Sequence, residues 1–412
     1  MSLRRLVLLC IACLTTGLVY GAEPHWVGSW GASPLPPSAA VGPFAATPSF
    51  SNQTIREVVR LSAGGRHLRL RLSNEYGTKA LEIGAVHVAV VDSDGSLRAG
   101  TDRAVTFGGS GMVTIPAGAP FVSDPVDLRV DPLDTLSVSL YLPGDTGPCT
   151  CHSTGMQDAF VSQPGNFTVG TFEPASTTQT RAFLTGVEVD ADRSGHAIVV
   201  LGDSISDGIG STPNANHRWP DLLADRLAAR GGRQWGVVNE GISGNRILAD
   251  GAGQSALTRF DRDVLSVPGV SHVVVFEGVN DLGLAYGKFE GPLAAMRNSM
   301  AKGQASADAL IEGLRQIIAR AHAHGIKVYG ATITPYEGAT YYAPEGNAVR
   351  EKVNDWIRNG GEFDAVLDFD AVVRDPNEPA KIRDGWHAGD FLHGSDAGYR
   401  AMADSIDLGL FR

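Results

Sequence analysis

The sequence has little that could hold the chain in a membrane. Its one marked apolar run, Leu6–Cys13, follows Arg4 and Arg5 and precedes small residues, which is the order found in secretory signals. The run is too short for a permanent membrane span, and no later stretch is long and apolar enough to cross a bilayer. We therefore expect residues 1–21 to be a signal peptide cleaved after Gly21, and the mature chain to be secreted without stable membrane insertion.

Cysteine is also scarce, with four residues in the whole chain. Cleavage before Cys13, as in a lipoprotein, is the alternative to cleavage after Gly21, but Cys10 stands where an aliphatic residue is expected. Only Cys149 and Cys151 remain in the mature chain. An exporting compartment permits a disulfide, yet a C-x-C bridge requires a close Cα approach, so a bridge and two free thiols both stay open. No second ligand pair at zinc spacing lies nearby, which argues against a zinc site.

Basic residues are outnumbered, because 34 Lys and Arg stand against 45 Asp and Glu, a formal net charge of −11. Removal of the signal takes away two arginines and no acids, which changes the net charge to −13. Such a chain is repelled by phosphate backbones and by anionic lipid surfaces. The charge balance therefore argues against nucleic acid and anionic membranes as partners.

The 412 residues exceed what one hydrophobic core usually organises, so we expect two domains. Between about residues 55 and 190, polar and apolar residues alternate with period two, as in Arg66–Leu72 and Leu136–Leu142. Turn signals such as Gly64-Gly65 separate these runs. Short alternating strands without helical stretches are typical of an antiparallel sandwich. We predict an all-β sandwich domain over residues 22–190.

From Ile198 onward, short apolar runs alternate with segments of helical pattern. The predicted strands are Ile198–Leu201, Val237–Val238, His272–Phe276, Lys327–Thr332 and Val366–Phe369, and the predicted helices include Trp219–Arg230, Ala305–His324 and Arg350–Arg358. This alternation predicts a parallel sheet covered by helices on both faces, over residues 191–412. Asp190–Gly195 copies the opening of a calcium loop, but Leu201 stands where the loop needs Glu. We interpret that segment as a linker.

The turn Gly202-Asp203-Ser204 directly follows the first of these strands. Ser204 is either a helix cap or a nucleophile at the ligand-binding edge of the sheet. The G-x-S-x-G elbow of α/β-hydrolases is absent, because Ser206 replaces the second glycine. A serine nucleophile needs a base and a group that orients the base. Asp390 precedes His393 by three residues, a spacing that lets the carboxylate reach Nδ1 and leaves Nε2 for the serine.

Two further turns offer hydrogen-bond donors for an oxyanion. Gly244 ends a turn after the second strand, where a glycine lets a backbone N–H approach a ligand closely. Asn280 lies in the turn after the third strand, and its amide can donate two hydrogen bonds. Both turns leave the same edge of the predicted sheet as Ser204, and we expect Asp203 and Asp281 to hold these loops.

These four blocks, in this order, closely resemble the SGNH hydrolases, also called the GDSL esterase/lipase family. The blocks are Gly202-Asp203-Ser204, Gly244 in Ser243-Gly244-Asn245, Asn280 in Gly278–Asp281, and Asp390–His393. The resemblance spans roughly residues 196–412 and implies a three-layer, flavodoxin-like α/β/α domain without a cofactor. It further implies that Ser204 is the nucleophile, His393 the base and Asp390 its orienter. The backbone N–H groups of Ser204 and Gly244 and the Asn280 amide would form the oxyanion hole.

The resemblance has one departure, since the family usually has His-Pro-Asn where this chain has His393-Gly394-Ser395. The upstream sandwich, which would be jelly-roll-like, also resembles the β domain attached to some secreted members, carbohydrate esterases among them. We therefore expect a secreted carboxylic ester hydrolase that acts through an acyl-enzyme on a small-molecule or polysaccharide ester. Because no long apolar lid segment is present, we favour removal of short acyl groups, acetyl above all, from carbohydrate. The alternatives are a lipase, arylesterase or acyltransferase with the same residues, and a non-catalytic glycan-binding protein.

Other side chains allow more than one interpretation. Trp386 could stack on a sugar ring or simply pack, and His152 could reach the cleft as a binding residue. His387 has the same spacing from an aspartate as His393 does. We favour His393, because Ser395 is a suitable N-cap for a following helix that would hold the loop. That helix would carry an apolar stripe formed by Tyr399, Met402, Ala403, Ile406 and Leu410. His322 and His324 diverge on a predicted helix, so we do not interpret them as metal ligands.

Overall fold

The computed structural model describes residues 23–40, 45–289, 294 and 305–412. The predicted signal peptide lies outside these residues. Within them, no helix combines the length and apolar character needed to span a membrane.

The N-terminal half is built from antiparallel strands. They are β1 (Trp26–Gly31), β2 (Gln53–Arg60), β3 (Leu68–Ser73), β4 (Leu81–Ile83), β5 (Ala85–Val91), β6 (Arg103–Ala104), β7 (Val113–Ile115), β8 (Pro120–Val122), β9 (Thr135–Leu142), β10 (Cys151–His152), β11 (Ala159–Pro164), β12 (Pro174–Thr178), β13 (Arg181–Ala182) and β14 (Leu184–Asp190). One sheet has the order β1-β14-β3-β8 and the other β12-β11-β2-β9-β5-β6, with small pairs β10-β13 and β4-β7 beside them. Alternate residues such as Leu68, Leu70 and Leu72 are fully buried, as the period-two pattern predicts. The sandwich prediction is confirmed.

The C-terminal half is a parallel sheet with helices. Its strands are β15 (His196–Gly202), β16 (Trp235–Asn239), β17 (Val270–Phe276), β18 (Lys327–Ala331) and β19 (Ala365–Leu367). Its α-helices are α1 (Ser204–Asp207), α2 (Trp219–Arg230), α3 (Ala256–Phe260), α4 (Val279–Tyr286), α5 (Ala307–Ala323), α6 (Pro344–Asn359), α7 (Phe369–Val373) and α8 (Asp396–Ser405). A π-helical turn, Asp261–Leu265, continues α3, and a 3₁₀ turn, Leu408–Leu410, follows α8. The strand order is β16-β15-β17-β18-β19 and every pairing is parallel, so the α/β prediction is confirmed.

Two groups of helices cover this sheet. Helices α2, α7 and α8 pack with one another, and α4 and α5 pack against α6. The helix predicted to begin at Arg350 begins earlier, at Pro344, because proline suits the first turn of a helix, where its missing N–H is not needed. The interior strand β15 has five consecutive fully buried residues, Ala197–Leu201, as expected of a strand covered on both faces.

The two halves meet along β1 and β16. A methyl group added to Gly236 would lie 1.9 Å from the carbonyl oxygen of Gly28, so the strands can approach this closely only because both residues lack a side chain. The Gly28 N–H donates to the carbonyl of Pro268 at 2.9 Å. The Ser62 hydroxyl oxygen accepts the N–H of Val237 at 2.8 Å. The boundary that we predict between residues 190 and 191 falls in the connection between β14 and β15.

Candidate active site

The predicted nucleophile lies where the buried strand β15 turns into helix α1. Ser204 is the first residue of α1, and the cap of that helix is Asp203, whose carboxylate accepts the N–H of Ile205 at 2.9 Å. Ser204 is therefore not the helix cap. A side chain at Gly202 would lie 2.3 Å from the Ser206 hydroxyl oxygen, which explains why glycine precedes the turn. The result is a serine at the carboxyl edge of the sheet, 5% exposed.

His393 contacts this serine directly. Its Nε2 lies 2.8 Å from the Ser204 Oγ, and its Nδ1 lies 2.5 Å from Asp390 Oδ2. The second carboxylate oxygen of Asp390 accepts the backbone N–H groups of Leu392 and His393, each at 3.0 Å. Burial by itself would raise the pKa of Asp390, but these hydrogen bonds outweigh it and hold the pKa well below its usual range. An ionised Asp390 keeps the proton on Nδ1, so that Nε2 can accept the serine proton.

The loop that carries His393 is held at both ends. The His393 carbonyl accepts the N–H of Ala388 at 2.8 Å, and the Ser395 N–H donates to the Trp386 carbonyl at 3.0 Å. Ser395 caps α8 by accepting the Gly398 N–H. Although Gly394-Ser395 replaces Pro-Asn, these contacts fix the loop.

The predicted apolar stripe of α8 is largely buried, because Tyr399, Met402, Ala403 and Ile406 are all at most 2% exposed. The Tyr399 hydroxyl donates to the Ile209 carbonyl at 2.6 Å, next to the nucleophile's helix. The principal contacts of this helix are with α2 and α7. The α-helix ends at Ser405, so the stripe continues beyond it.

Gly244 lies in a tight turn closed by the Asn245 N–H donating to the Ile242 carbonyl at 3.0 Å. Its φ of +81° is the left-handed value that favours glycine at the third position of such a turn. Asn280 lies in the first turn of α4 and is 6% exposed. Its side chain donates one N–H to the Asn245 carbonyl at 3.0 Å. Because a carboxamide has two N–H bonds, the second is left for a ligand. The hydrogen bond from Asn280 to Asn245 thus holds the start of α4 against the turn that contains Gly244.

Buried acids support these loops. The Asp281 carboxylate accepts the N–H groups of Ile247 and Leu248 at 2.8 and 3.1 Å, so it holds the loop that follows Gly244 and not only its own. Burial raises the pKa of Asp281 to about 6 and that of Asp203 to about 7. The raised pKa of Asp203 reflects the cost of burying a negative charge directly behind the nucleophile.

Arg259 is a supporting residue that the sequence did not point out. It lies in α3, is fully buried, and donates to the carbonyls of Gly202 and Glu240 at 2.9 and 2.5 Å. It also donates to the Asn245 side-chain oxygen at 3.0 Å and to Glu277 at 3.2 Å. One guanidinium thus joins the ends of three neighbouring strands. No local signal could have found it, since an arginine in a helical pattern usually faces solvent.

The structure buries His152, the side chain that we considered for substrate binding, and pairs both of its ring nitrogens. It is 5% exposed, and its ring nitrogens lie 2.9 Å from the Ser33 carbonyl and 3.0 Å from Asp207 Oδ1. Trp386 is half-buried under the Arg383 guanidinium, 4.4 Å from the ring centroid.

His387 stacks on the Phe391 ring with centroids 4.5 Å apart, and its Nδ1 accepts the N–H groups of Gly389 and Phe391. Spacing alone did not distinguish His387 from His393. The contact with Ser204 does.

Within the described residues, no group of three or more His, Cys, Asp or Glu side chains is arranged to hold a metal ion. His322 pairs with Asp364 at 2.8 Å. Cys149 and Cys151, whose state the sequence left open, form a disulfide with Cα atoms 5.3 Å apart.

Comparison with known proteins gives one family match. A model described as the GDSL-like lipase/acylhydrolase family matches residues 200–401. No curated protein sequence matches the chain significantly.

Solved structures that are similar include a lipase/acylhydrolase from Enterococcus faecalis, at 20% identity and a TM-score of 0.38, covering 51% of this chain and 93% of that one. A member of the lipolytic protein G-D-S-L family from Veillonella parvula is 17% identical, with a TM-score of 0.37 and coverage of 53% and 98%. An acetyl xylan esterase is 22% identical, with a TM-score of 0.37 and coverage of 51% and 96%.

The family match begins within β15, which leads to Ser204, and ends within α8, which follows His393. The resemblance drawn from the four sequence blocks is thereby confirmed. Over residues 200–401 this chain belongs to the GDSL-like lipase/acylhydrolase family, and it is an ester hydrolase of that family.

Proposed function

We propose that the protein is a secreted serine esterase whose acyl-enzyme forms on Ser204 and which removes short acyl groups from carbohydrate. The observation that carries the catalytic part is one unbroken chain of contacts. Ser204 Oγ lies 2.8 Å from His393 Nε2, and His393 Nδ1 lies 2.5 Å from Asp390. This chain provides a nucleophile, a base and an orienting carboxylate in hydrogen-bond order.

The reaction follows from these contacts. Ser204 Oγ attacks the ester carbonyl carbon while His393 Nε2 takes the hydroxyl proton. The carbonyl oxygen becomes an oxyanion, which the backbone N–H groups of Ser204 and Gly244 and the second N–H of Asn280 stabilise. The C–O bond to the alcohol breaks as His393 returns the proton to the leaving oxygen. Water, deprotonated by His393, then attacks the acyl-enzyme, and the acid and free Ser204 are released.

The apolar surface beside the site supports a short acyl group. Among the described residues, the large apolar side chains that are exposed are Leu97, Met112, Phe121, Val122, Val169 and Phe391. Of these, only Phe391 lies on the loop that carries His393. A long acyl chain needs a continuous apolar surface to leave water, whereas an acetyl group does not. The exposed Phe391 ring, stacked on His387, is a flat apolar surface of the kind that a sugar ring can cover.

Export is the remaining part of the proposal. Its support is the order of Arg4 and Arg5, the apolar run and the small residues before Gly21, together with the Cys149–Cys151 disulfide, since disulfides persist in exporting compartments. Expression of the full chain in a secreting host tests it. We expect the recovered mature protein to begin at Ala22 by intact mass, and a retained Met1 would contradict export.

The nucleophile is tested by covalent labelling. Intact mass should rise by one adduct after treatment with a fluorophosphonate, and Ser204→Ala should abolish that increase. Ser206→Ala is a matched control, because the Ser206 hydroxyl oxygen instead accepts the Trp219 indole N–H at 3.3 Å. Labelling that persists in Ser204→Ala would contradict the assignment.

The substrate class is tested by comparing initial rates on acetylated xylan and on aryl esters of acetate, octanoate and palmitate. We expect release of acetate from the polysaccharide and a steep fall from acetyl to palmitoyl esters. Faster turnover of the palmitoyl ester would favour a lipase, and transfer of acyl groups to an added alcohol in place of hydrolysis would favour an acyltransferase. Binding of xylan without turnover of any ester would favour a glycan-binding protein.

A further inference from the structure

Asp207 connects helix α1 to the turn that contains Gly244. It is the last residue of α1 and is 2% exposed. Its Oδ2 accepts the backbone N–H of Ser243 at 3.0 Å and the Ser243 hydroxyl at 2.6 Å. Ser243 immediately precedes Gly244. One carboxylate therefore connects the helix that begins at Ser204 to the turn that presents the Gly244 N–H.

The other oxygen of this carboxylate contacts the N-terminal half of the chain. Asp207 Oδ1 lies 3.0 Å from Nε2 of His152, the last residue of β10, next to the disulfide-bonded Cys151. The other ring nitrogen, Nδ1, lies 2.9 Å from the Ser33 carbonyl oxygen. Because a carbonyl oxygen can only accept, Nδ1 must carry a proton. A carboxylate likewise only accepts, so the doubly protonated imidazolium is the form that satisfies both contacts.

The electrostatics of the pocket favour this form. Burial alone would lower the pKa of His152, but the charge of Asp207 and hydrogen bonds to Asp207, Ser33 and Thr154 together raise it above its usual value. His152 therefore keeps both ring protons at pH values below this raised pKa, and it loses one of them as the pH rises through it.

Three other charged groups face the ring. Arg181, on β13, and Arg218, just before α2, line the same small cavity as His152 and Asp207. Glu57, on β2, acts on His152 from the sandwich side, and burial raises the pKa of Glu57 to about 7. Among these charged groups, Asp207 is the one in direct hydrogen-bond contact with the ring.

We infer that His152 is a positioning residue for the active site, because its contact with Asp207 holds the Ser243-Gly244 turn against the helix that carries Ser204. His152 touches neither substrate nor reacting atoms. The inference rests on the proposed function and adds to it a residue of the β-sandwich on which the oxyanion hole depends. An oxyanion donor stabilises the transition state only if it is held at the right place before the reaction.

Two substitutions in the full chain separate the two contacts of the ring. In His152→Asn, the side-chain amide reaches the position of Nδ1 and keeps the contact with Ser33 but loses Asp207. In His152→Gln, it reaches the position of Nε2 and keeps Asp207 but loses Ser33. We expect His152→Asn to lower kcat on an aryl acetate by roughly ten- to a hundredfold, the cost of a slightly misplaced group, with KM changed by less than about twofold. His152→Gln should recover most of that loss.

The pH profile provides a readout that a purely structural role would not change. In the wild type, kcat should fall on the alkaline side as His152 loses its proton and the ion pair with Asp207 is lost. His152→Gln cannot lose a proton there, so this fall should be absent when kcat is measured from about pH 6 to about pH 9. His87→Asn is the matched control, because His87 pairs with Asp102 at 3.0 Å on the sandwich surface, and we expect it to behave as the wild type.

The outcomes are distinct. A folded His152→Asn variant that turns over like the wild type would overturn the inference. Equal loss of kcat in the Asn and Gln variants would also overturn it. If His152→Asn does not fold, the Gln variant decides, and an alkaline fall like that of the wild type would refute the inference. Failure of the wild type to be labelled by a fluorophosphonate would refute the proposed function instead.

Discussion

The two halves of the chain bury their charged side chains in different places. In the parallel-sheet half, Asp203, Arg259 and Asp281 lie at the carboxyl ends of the central strands, around the predicted nucleophile. In the sandwich half, Glu57 and Arg181 are buried close to His152, beside helix α1. Buried charge is costly unless it is paired, so its position indicates where a protein needs a fixed polar group. From this comparison we propose that one half carries the reacting atoms and that the other supports them.

The largest effect should come from the base. We expect His393→Ala to lower turnover of an aryl acetate by roughly a thousandfold or more, and His387→Ala by about tenfold at most. His393 contacts Ser204, whereas the ring of His387 contacts Gly389 and Phe391 of its own loop. Asp390→Asn should also be impaired, because it removes the charge that orients the ring.

Steady-state kinetics of the two alanine variants check this prediction. Loss of turnover in His387→Ala, together with normal turnover in His393→Ala, would reverse our assignment of the base.

The oxyanion donor should come next. Asn280→Ala removes the free N–H and should slow turnover by roughly a hundred- to a thousandfold, the cost of one such donor. KM should change little, because the contact strengthens in the transition state. Asn354→Ala is a useful control, since that side chain is also buried but bonds to the backbone of Ile333. Asn280→Ala with normal kcat would remove Asn280 from the site.

Expressing the C-terminal half alone tests whether the sandwich supports the site. A fragment of residues 191–412 keeps Ser204, Asp390 and His393 but lacks His152. Per folded molecule, as counted by active-site titration, we expect kcat on an aryl acetate to fall by roughly ten- to a hundredfold and not to vanish. Full activity would mean that the sandwich serves substrate choice or stability alone. Complete inactivity of a folded fragment would mean that the sandwich supplies a group to the site itself.

The smallest effect should be on stability, away from the site. His272 lies toward the amino end of β17, and burial is the main reason that its pKa is lowered to about 4. The unfolded chain binds a proton near pH 6.5, so stability should fall as the pH drops from about 6.5 to about 4, by up to about 1.4 kcal/mol per pH unit. Denaturant unfolding of the wild type and His272→Phe checks this. The variant should lack the decrease in unfolding free energy that His272 causes, and it should keep its kcat at neutral pH. If the stability of the variant depends on pH as that of the wild type does, the prediction is wrong.

The succession of strands and helices along the chain and the sequence blocks of the family could largely be predicted, because each depends on a short stretch of sequence. A buried apolar run, a Gly-Asp-Ser turn and an Asp three residues before a His are all local patterns. The family match bears out the blocks as a set, whereas the individual roles stay predictions until the variants are made. The cap of α1 illustrates the limit, since Asp203 and Ser204 are both good N-caps by residue type, and only the backbone conformation separates them.

What the sequence did not reveal depends on contacts between distant residues. His152 and Asp207 are 55 positions apart, and Arg259 is 57 from Gly202. No periodicity links such pairs, because the three-dimensional packing of sheets and helices alone brings them together. For this reason the sequence suggested that His152 could reach the cleft, whereas in the structure its side chain is buried.

The close approach of β1 to β16 has a consequence for solubility. Strand β16 is at one end of the parallel sheet, where unpaired N–H and C=O groups could join a strand of another molecule. Here the backbone N–H and C=O of Val237 are both hydrogen-bonded to the Ser62 hydroxyl, and β1 lies over Gly236. The sandwich thus shields an edge that would otherwise favour strand-to-strand aggregation.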